Sequence, residues 1–227
     1  MIDKVIPIKK AIDKIKSGDT LLIGGFIQDG SPMNLLRELS TRDISGLTAV
    51  SEDIGYANST FYPKTAITAL YDRGLISRVC VSYIGNNKLV NGLIQAGKLE
   101  AEFIPQGTLI ERIRAGGSGI GGFYTPTGVG TVVENGKEKK VIGGKEYILE
   151  LALRGNVALV KAHKADCMGN AVFKYTSQNF NTMMATAADI TILEVEELVK
   201  PGELNPEHVQ LPGVFVDYVV LPEGDVR

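Results

Sequence analysis

One local pattern limits this chain more than any other: an apolar run that ends on glycines and reopens as a helix. Thr20 to Ile23 reads as a short buried strand and runs straight into Gly24-Gly25-Phe26-Ile27-Gln28-Asp29-Gly30. Ser31 suits a cap and Pro32 a first helical turn. Met33, Leu35, Leu36 and Leu39 then supply an apolar stripe. Glycines at such a corner let backbone N–H groups converge on an anion at the positive end of the next helix. Gly24 and Gly25 also carry no side chain that would block a ligand. The same pattern equally makes a tight strand-to-helix turn with no ligand, and spacing alone does not separate the two.

The alternation of strand and helix continues along the chain. A first helix fits Pro7 to Lys16, with Ile8, Ala11, Ile12 and Ile15 at helical spacing, and Ser17-Gly18-Asp19 stops it. Buried strands are expected at Leu47–Val50, Arg78–Tyr83, Ala101–Pro105, Val157–Ala162 and Ile190–Val195. Helices are expected at Ala66–Tyr71, Lys88–Ala96 and Thr108–Ala115. This order predicts an α/β fold, a mostly parallel sheet flanked by helices on both faces with right-handed crossovers. In the middle, Thr131-Val132-Val133 and Lys140-Val141-Ile142 flank Asn135-Gly136, which predicts a hairpin. Gly143-Gly144 turns into Tyr147-Ile148-Leu149, so residues 124–150 read as an antiparallel β insert. With 227 residues, 44% of them hydrophobic, residues 1–227 are expected to form a single domain with a sizeable core.

Charge and composition remove several classes of function. The net charge is −2 and the Lys and Arg residues are spread along the chain, so no concentrated basic face points to nucleic acid. No stretch approaches the roughly 18 to 20 apolar residues needed to span a bilayer. The amphipathic start lacks a signal-peptide core. Cys80 and Cys167 are too few for a disulfide framework, and together these features predict a cytoplasmic protein.

Candidate chemistry is sparse. Gly117 to Gly122 has the spacing G-x-G-x-x-G, but it follows a helix-like segment and precedes Phe123-Tyr124-Thr125-Pro126. A dinucleotide fingerprint needs a strand before it and a helix after it. His163 and Cys167 are four apart with too few neighbouring ligands for a metal, and a turn between strands is expected there. No G-x-S-x-G elbow occurs. Glu52, in Ser51-Glu52-Asp53-Ile54-Gly55 at the end of a strand, could be a nucleophile, a cap or a solvated carboxylate.

The run Leu21-Leu22-Ile23-Gly24-Gly25-Phe26-Ile27-Gln28-Asp29-Gly30-Ser31-Pro32 resembles the α-subunit signature of family I coenzyme A transferases. Ser17 stands before Gly18 where that signature opens with Asp or Asn. The resemblance continues through Pro105-Gln106-Gly107-Thr108-Leu109, Tyr124-Thr125-Pro126-Thr127-Gly128, Lys161 to Asp166, Asn179-Phe180-Asn181 and Ala187-Ala188-Asp189, covering essentially the whole chain in order. It is similar above all to the α subunits of acetate–, butyrate– and succinyl-type 3-oxoacid CoA transferases.

The resemblance implies a CoA-transferase-like fold with a Rossmann-like core and a division of labour. A β subunit, in an α2β2 heterotetramer, would supply the nucleophilic glutamate of a ping-pong reaction. CoA would be a substrate, with no tightly bound cofactor and no metal. Gln106 would stabilise the oxyanion, and Gly24, Gly25, Phe26, Ile27, Gln28, Asp29 and Gly30 would form the CoA-binding element. Glu52 lies where α subunits carry a non-catalytic segment, so the resemblance does not make it the nucleophile. Other readings on the same fold are an acyl-CoA hydrolase and a non-catalytic CoA-binding regulatory module. No helix-turn-helix segment accompanies them.

Overall fold

The structure is a computed structural model that describes residues 2–27, 29–55, 66–85 and 87–222. Its main sheet is built from β1 (Thr20–Ile23), β2 (Leu47–Asp53), β3 (Ile76–Tyr83), β4 (Glu100–Phe103), β8 (Gly155–Asp166), β10 (Ala188–Val199) and β11 (Tyr218–Val220). They lie in the order β11-β10-β8-β1-β2-β3-β4, every adjacent pair is parallel, and a short strand β9 (Ala171–Val172) adds antiparallel to β8.

Apart from the edge strand β4 and the outer part of β10, these strands are buried on both faces, so their apolar residues run continuously and alternate side chains feed two cores. Leu21, Ile23, Ala49, Val79, Val81, Val157 and Leu159 join α1 (Ile8–Ile12), α2 (Met33–Leu39), α3 (Ala66–Asp72) and α4 (Lys88–Gln95) on one face. Leu22, Val50, Cys80, Ala158 and Val160 meet α5 (Gln106–Gly117) and α6 (Asn181–Thr186) on the other. The predicted architecture is therefore the observed one.

The chain builds outward from β1 toward β4, then returns to lay β8, β10 and β11 on the other side of β1. Strand order thus reverses between β1 and β8, and in open α/β sheets ligands bind outside the carboxyl ends of strands at such a reversal. No helix among the described residues is long and apolar enough to cross a membrane.

Two local expectations are corrected. The helix expected over Pro7–Lys16 ends at Ile12, because Lys14 N–H and Ile15 N–H bond three residues back to Ala11 and Ile12 carbonyls and tighten the last turn. The antiparallel insert is present, as β5 (Gly122–Thr125), β6 (Lys139–Ile142) and β7 (Lys145–Leu151) in the order β5-β7-β6, but its hairpin turns at Gly143-Gly144. Both of those glycines have positive φ, 59° and 78°, as the hairpin turn with matching twist requires.

Asn135 has φ −59° and ψ 125° and Gly136 has φ 75°, the angles of a type II turn, which would splay two strands. Val132–Glu134 is instead a 3-10 turn, held by Thr131 Oγ1 accepting from Val133 N–H and by Glu134 accepting from Gly130 N–H.

Candidate functional site

The carboxyl ends of β1, β2, β3 and β4 bring four segments of sequence together. β1 delivers the glycine loop, β2 ends in Ser51-Glu52-Asp53, β3 carries Ser82 beside Glu52, and β4 leads through Ile104 and Pro105 into Gln106 at the first turn of α5. Glu52 is buried, at 5% exposure. Its Oε1 accepts from Gln106 Nε2 at 2.9 Å and from Ser82 Oγ at 2.8 Å, and Ser82 Oγ also reaches the Glu52 carbonyl at 2.9 Å. Gln106 and Glu52, 54 residues apart in sequence, are therefore direct partners.

Asp53 joins this group to the glycine loop. Its Oδ2 accepts from Ile27 N–H and its Oδ1 from Gly55 N–H, each at 2.6 Å. Burial pushes the Asp53 carboxyl up to about 6, assisted by contact with the Glu52 carboxyl and opposed by the two backbone donors. Ile27 sits at φ 60°, uncommon for a β-branched residue, where the Phe26–Asp29 bridge and the Asp53 bond hold it. Phe26 and Ile27 are 40% and 42% exposed, so the loop presents apolar side chains at its tip. Gln28 lies outside the described residues.

The backbone donors that follow the glycine loop serve an anion of the same chain. At the helix after it, Asn34 N–H and Leu35 N–H both donate to Glu194 Oε2, at 2.9 and 3.0 Å, and Asn34 Nδ2 donates to Glu194 Oε1 at 2.8 Å. The anion at the positive end of α2 is thus a carboxylate of the same chain, delivered by β10. Within the loop, Gly24 N–H bonds the Leu159 carbonyl, while Phe26 N–H and Asp29 N–H bond each other's carbonyls.

The glycines answer to internal packing. A Cβ on Gly24 would lie 1.9 Å from Asn181 Oδ1, and one on Gly30, at φ +72°, would lie 2.5 Å from the Ser177 carbonyl oxygen. Asn181 is fully buried, accepts from Lys161 N–H at 3.0 Å, and donates to the Gly30 and Ser177 carbonyls at 3.0 and 2.8 Å. It pins the loop to β8 across the strand-order reversal.

Two cavities flank the loop. One, lined by Gly24, Gly25, Ser31, Ser51, Glu52 and Asp53, has room for about one water at about 10 Å³. The other, of about 340 Å³, lies between Asp29-Gly30 and the outer parts of β8 and β10 and is lined by Lys161, His163, Lys174 and Glu196. His163 Nδ1 and Lys161 Nζ both engage the Glu196 carboxylate, at 2.9 and 3.0 Å, so His163 has a hydrogen-bond partner on the neighbouring strand. Cys167 follows the end of β8, in the expected turn.

The second glycine run closes α5 and packs it: a Cβ on Gly116 would lie 2.2 Å from the Leu153 carbonyl oxygen, and one on Gly117 2.5 Å from Thr186 Oγ1. It leads into the antiparallel strand β5, so the context a dinucleotide site needs is missing there, as expected.

Sequence reasoning passed over Glu194, Ser82 and Asn181 as structural agents. A carboxylate inside the apolar run Ile190–Val195 was a usable signal for Glu194. Nothing local marked Ser82.

A parallel sheet covered on both faces, with an amide donor and two carboxylates at its carboxyl ends, defines an α/β protein with a polar cluster where open sheets of this kind bind ligands. The family model for Coenzyme A transferase matches residues 5–221, and the chain belongs to that family. It is 46% identical over 213 residues to the A subunit of the probable succinyl-CoA:3-ketoacid coenzyme A transferase of Bacillus subtilis, covering 94% of this chain and 87% of the relative. It is 40% identical over 223 residues to the alpha subunit of the acetate CoA-transferase of Escherichia coli, covering 98% of this chain and 99% of the relative. The crystal structure of an acyl-CoA transferase apoenzyme from Escherichia coli shares the fold with a TM-score of 0.82 at 23% identity. That match covers 96% of this chain but 46% of the solved one, so the chain spans about half of that protein.

Proposed function

We propose that the chain is the α subunit of a two-subunit CoA transferase that moves CoA between a short-chain acyl-CoA and a carboxylic acid. Acetoacetyl-, acetyl- and butyryl-CoA are the donors to test first, given the names of its relatives. In this reading a β subunit, assembled as α2β2, contributes the nucleophilic glutamate, and CoA is a substrate with no tightly bound cofactor. The carboxylate attacks the thioester carbonyl and expels CoA as the thiolate, leaving an acyl–glutamyl anhydride. The thiolate then attacks the glutamyl carbonyl, releasing the donor acid's carboxylate and forming an enzyme–CoA thioester. The acceptor carboxylate then completes a ping-pong cycle.

The observation that carries this reading is Gln106. Its amide sits at the carboxyl end of the sheet, bonded to Glu52, which lines the cavity beside the glycine loop, in a chain that matches the family from residue 5 to residue 221. An amide N–H held there on a helix start is preorganised to meet charge as it develops on a tetrahedral oxyanion. The small cavity beside Glu52 has room for about one water, which favours a site completed by a partner surface over one enclosed within this chain. The loop from Gly24 to Gly30 would contact CoA through the exposed Phe26 and Ile27, since the donors at α2 already serve Glu194.

The test is acyl transfer from acetoacetyl-CoA to acetate by the chain alone and by the chain reconstituted with its β subunit. Activity only in the pair, reduced about a hundredfold or more by Gln106→Ala with assembly intact, is the expected result. Full activity of the chain alone would end the reading.

A further inference from the structure

Gln106 stands at the mouth of α5 with three rotatable side-chain bonds, and the packing around it does not by itself aim its amide. What aims it is Glu52. The carboxylate accepts one Nε2–H at 2.9 Å and leaves the other to be donated elsewhere. Glu52 is in turn tied to its own strand and to the next, because Ser82 Oγ bonds both its Oε1 and its backbone carbonyl. The two strands are paired in register here, Ser51 with Val81 and Asp53 with Tyr83, so this support rests on sheet. Glu52 is buried, at 5% exposure, while Gln106 is exposed, so the bond ties a side chain free at the surface to an acceptor fixed in the sheet.

We infer that Glu52 is a positioning residue for the reaction: it holds the Gln106 amide in the orientation that serves the oxyanion, with Ser82 as its support. This rests on the reading of Gln106 given above. It assigns the Ser51-Glu52-Asp53 segment a task other than nucleophilic attack. Oε1 of Glu52 already accepts two hydrogen bonds, and these lower its readiness to attack a thioester. A side chain whose geometry must be right to within a fraction of an ångström loses rate when its support goes, even though substrate still binds.

The experiment uses the two-subunit enzyme with acetoacetyl-CoA and acetate, each variant first shown to assemble with the β subunit. Glu52→Ala is expected to lower kcat about tenfold with KM for acetoacetyl-CoA unchanged. Glu52→Gln, which keeps an acceptor for Gln106 and Ser82, is expected to restore kcat to within about threefold of the parent. Ser82→Ala, a milder change should Glu52→Ala fail to assemble, is expected to lower kcat about threefold. In a Gln106→Ala background, Glu52→Ala should add no further loss, because there is no amide left to hold.

An equal loss from Glu52→Ala with and without Gln106 would overturn the inference while leaving Gln106 its role. Glu52→Gln as inactive as Glu52→Ala would also overturn it, since a charge or a nucleophile would then be what matters. If Gln106→Ala alone leaves kcat unchanged, the oxyanion reading falls and this inference falls with it.

Discussion

The fit between Gly24 and Asn181 gives a quantitative test of what the glycine loop is for. Gly24→Ala places a methyl group 1.9 Å from Asn181 Oδ1 and 2.7 Å from its Cγ, so the asparagine must leave its position. It then gives up its bonds to Lys161 N–H and to the Gly30 and Ser177 carbonyls, in a fully buried setting. Buried groups left without partners cost about 1–3 kcal/mol each, partly recovered by water, and overpacking adds a similar amount, so Gly24→Ala should destabilise by ~3 kcal/mol.

Asn181→Ala removes the same bonds and should also cost ~3 kcal/mol. The double variant is the discriminating measurement. The three atoms nearest the new methyl group all lie beyond the Cβ of Asn181, so Asn181→Ala deletes every one of them. The pair should therefore cost ~3 to 4 kcal/mol where independent losses would give ~6 kcal/mol, a coupling of roughly 2 to 3 kcal/mol. Urea unfolding of the purified chain at constant m-value reads this directly. Additive losses would refute the claim that Gly24 is glycine in order to admit Asn181.

Two further predictions concern the carboxylates. Glu194→Ala leaves Asn34 and Leu35 N–H without their acceptor and should cost ~3 kcal/mol, whereas Glu194→Gln retains an acceptor and should cost ~1 kcal/mol; equal urea midpoints for the two variants would contradict the capping role. For Asp53 the folded value, about 6, lies above the ordinary 3.8, so the native chain binds this proton more readily than the unfolded one. Its contribution to stability is fully present below about 3.8 and falls as pH rises toward about 6, by at most ~3 kcal/mol at 1.36 kcal/mol per pH unit. The stability of the parent minus that of Asp53→Asn, followed by urea unfolding from pH 4 to 7, should fall as pH rises, through zero if the variant becomes the more stable, and a value that stays constant or rises would show that Asp53 is not desolvated.

The sheet was legible because each parallel strand, buried on both faces, writes itself as an apolar run between helical stripes. Leu21 to Ile23, Val79 to Val81 and Val157 to Val160 are such runs. β8 and β10 extend past the predicted segments to 12 residues each, since their outer halves alternate polar and apolar residues and pair through Lys161–Glu196 and Lys164–Glu197. The hairpin was misread because Asn-Gly suits two kinds of turn, and Thr131 and Glu134 decide between them through local bonds.

At the site, the resemblance marks Gln106, while Glu52 stands at a strand end with no partner near it in sequence. The Glu52–Gln106 contact spans 54 residues and the Glu194 cap spans 160, distances at which no periodicity carries information. The loop could be seen as glycine-rich, but what its glycines make room for is Asn181, folded back from 157 residues later.

The central claim is that this chain supplies the amide and its support while the covalent intermediate forms on the partner. Intact-mass measurement of both subunits, quenched in acid during reaction of the assembled enzyme with acetoacetyl-CoA, tests it most directly. The account predicts a CoA-sized mass increase on the β subunit, with this chain unmodified. A CoA adduct on this chain, mapped to the peptide that contains Glu52, would contradict it.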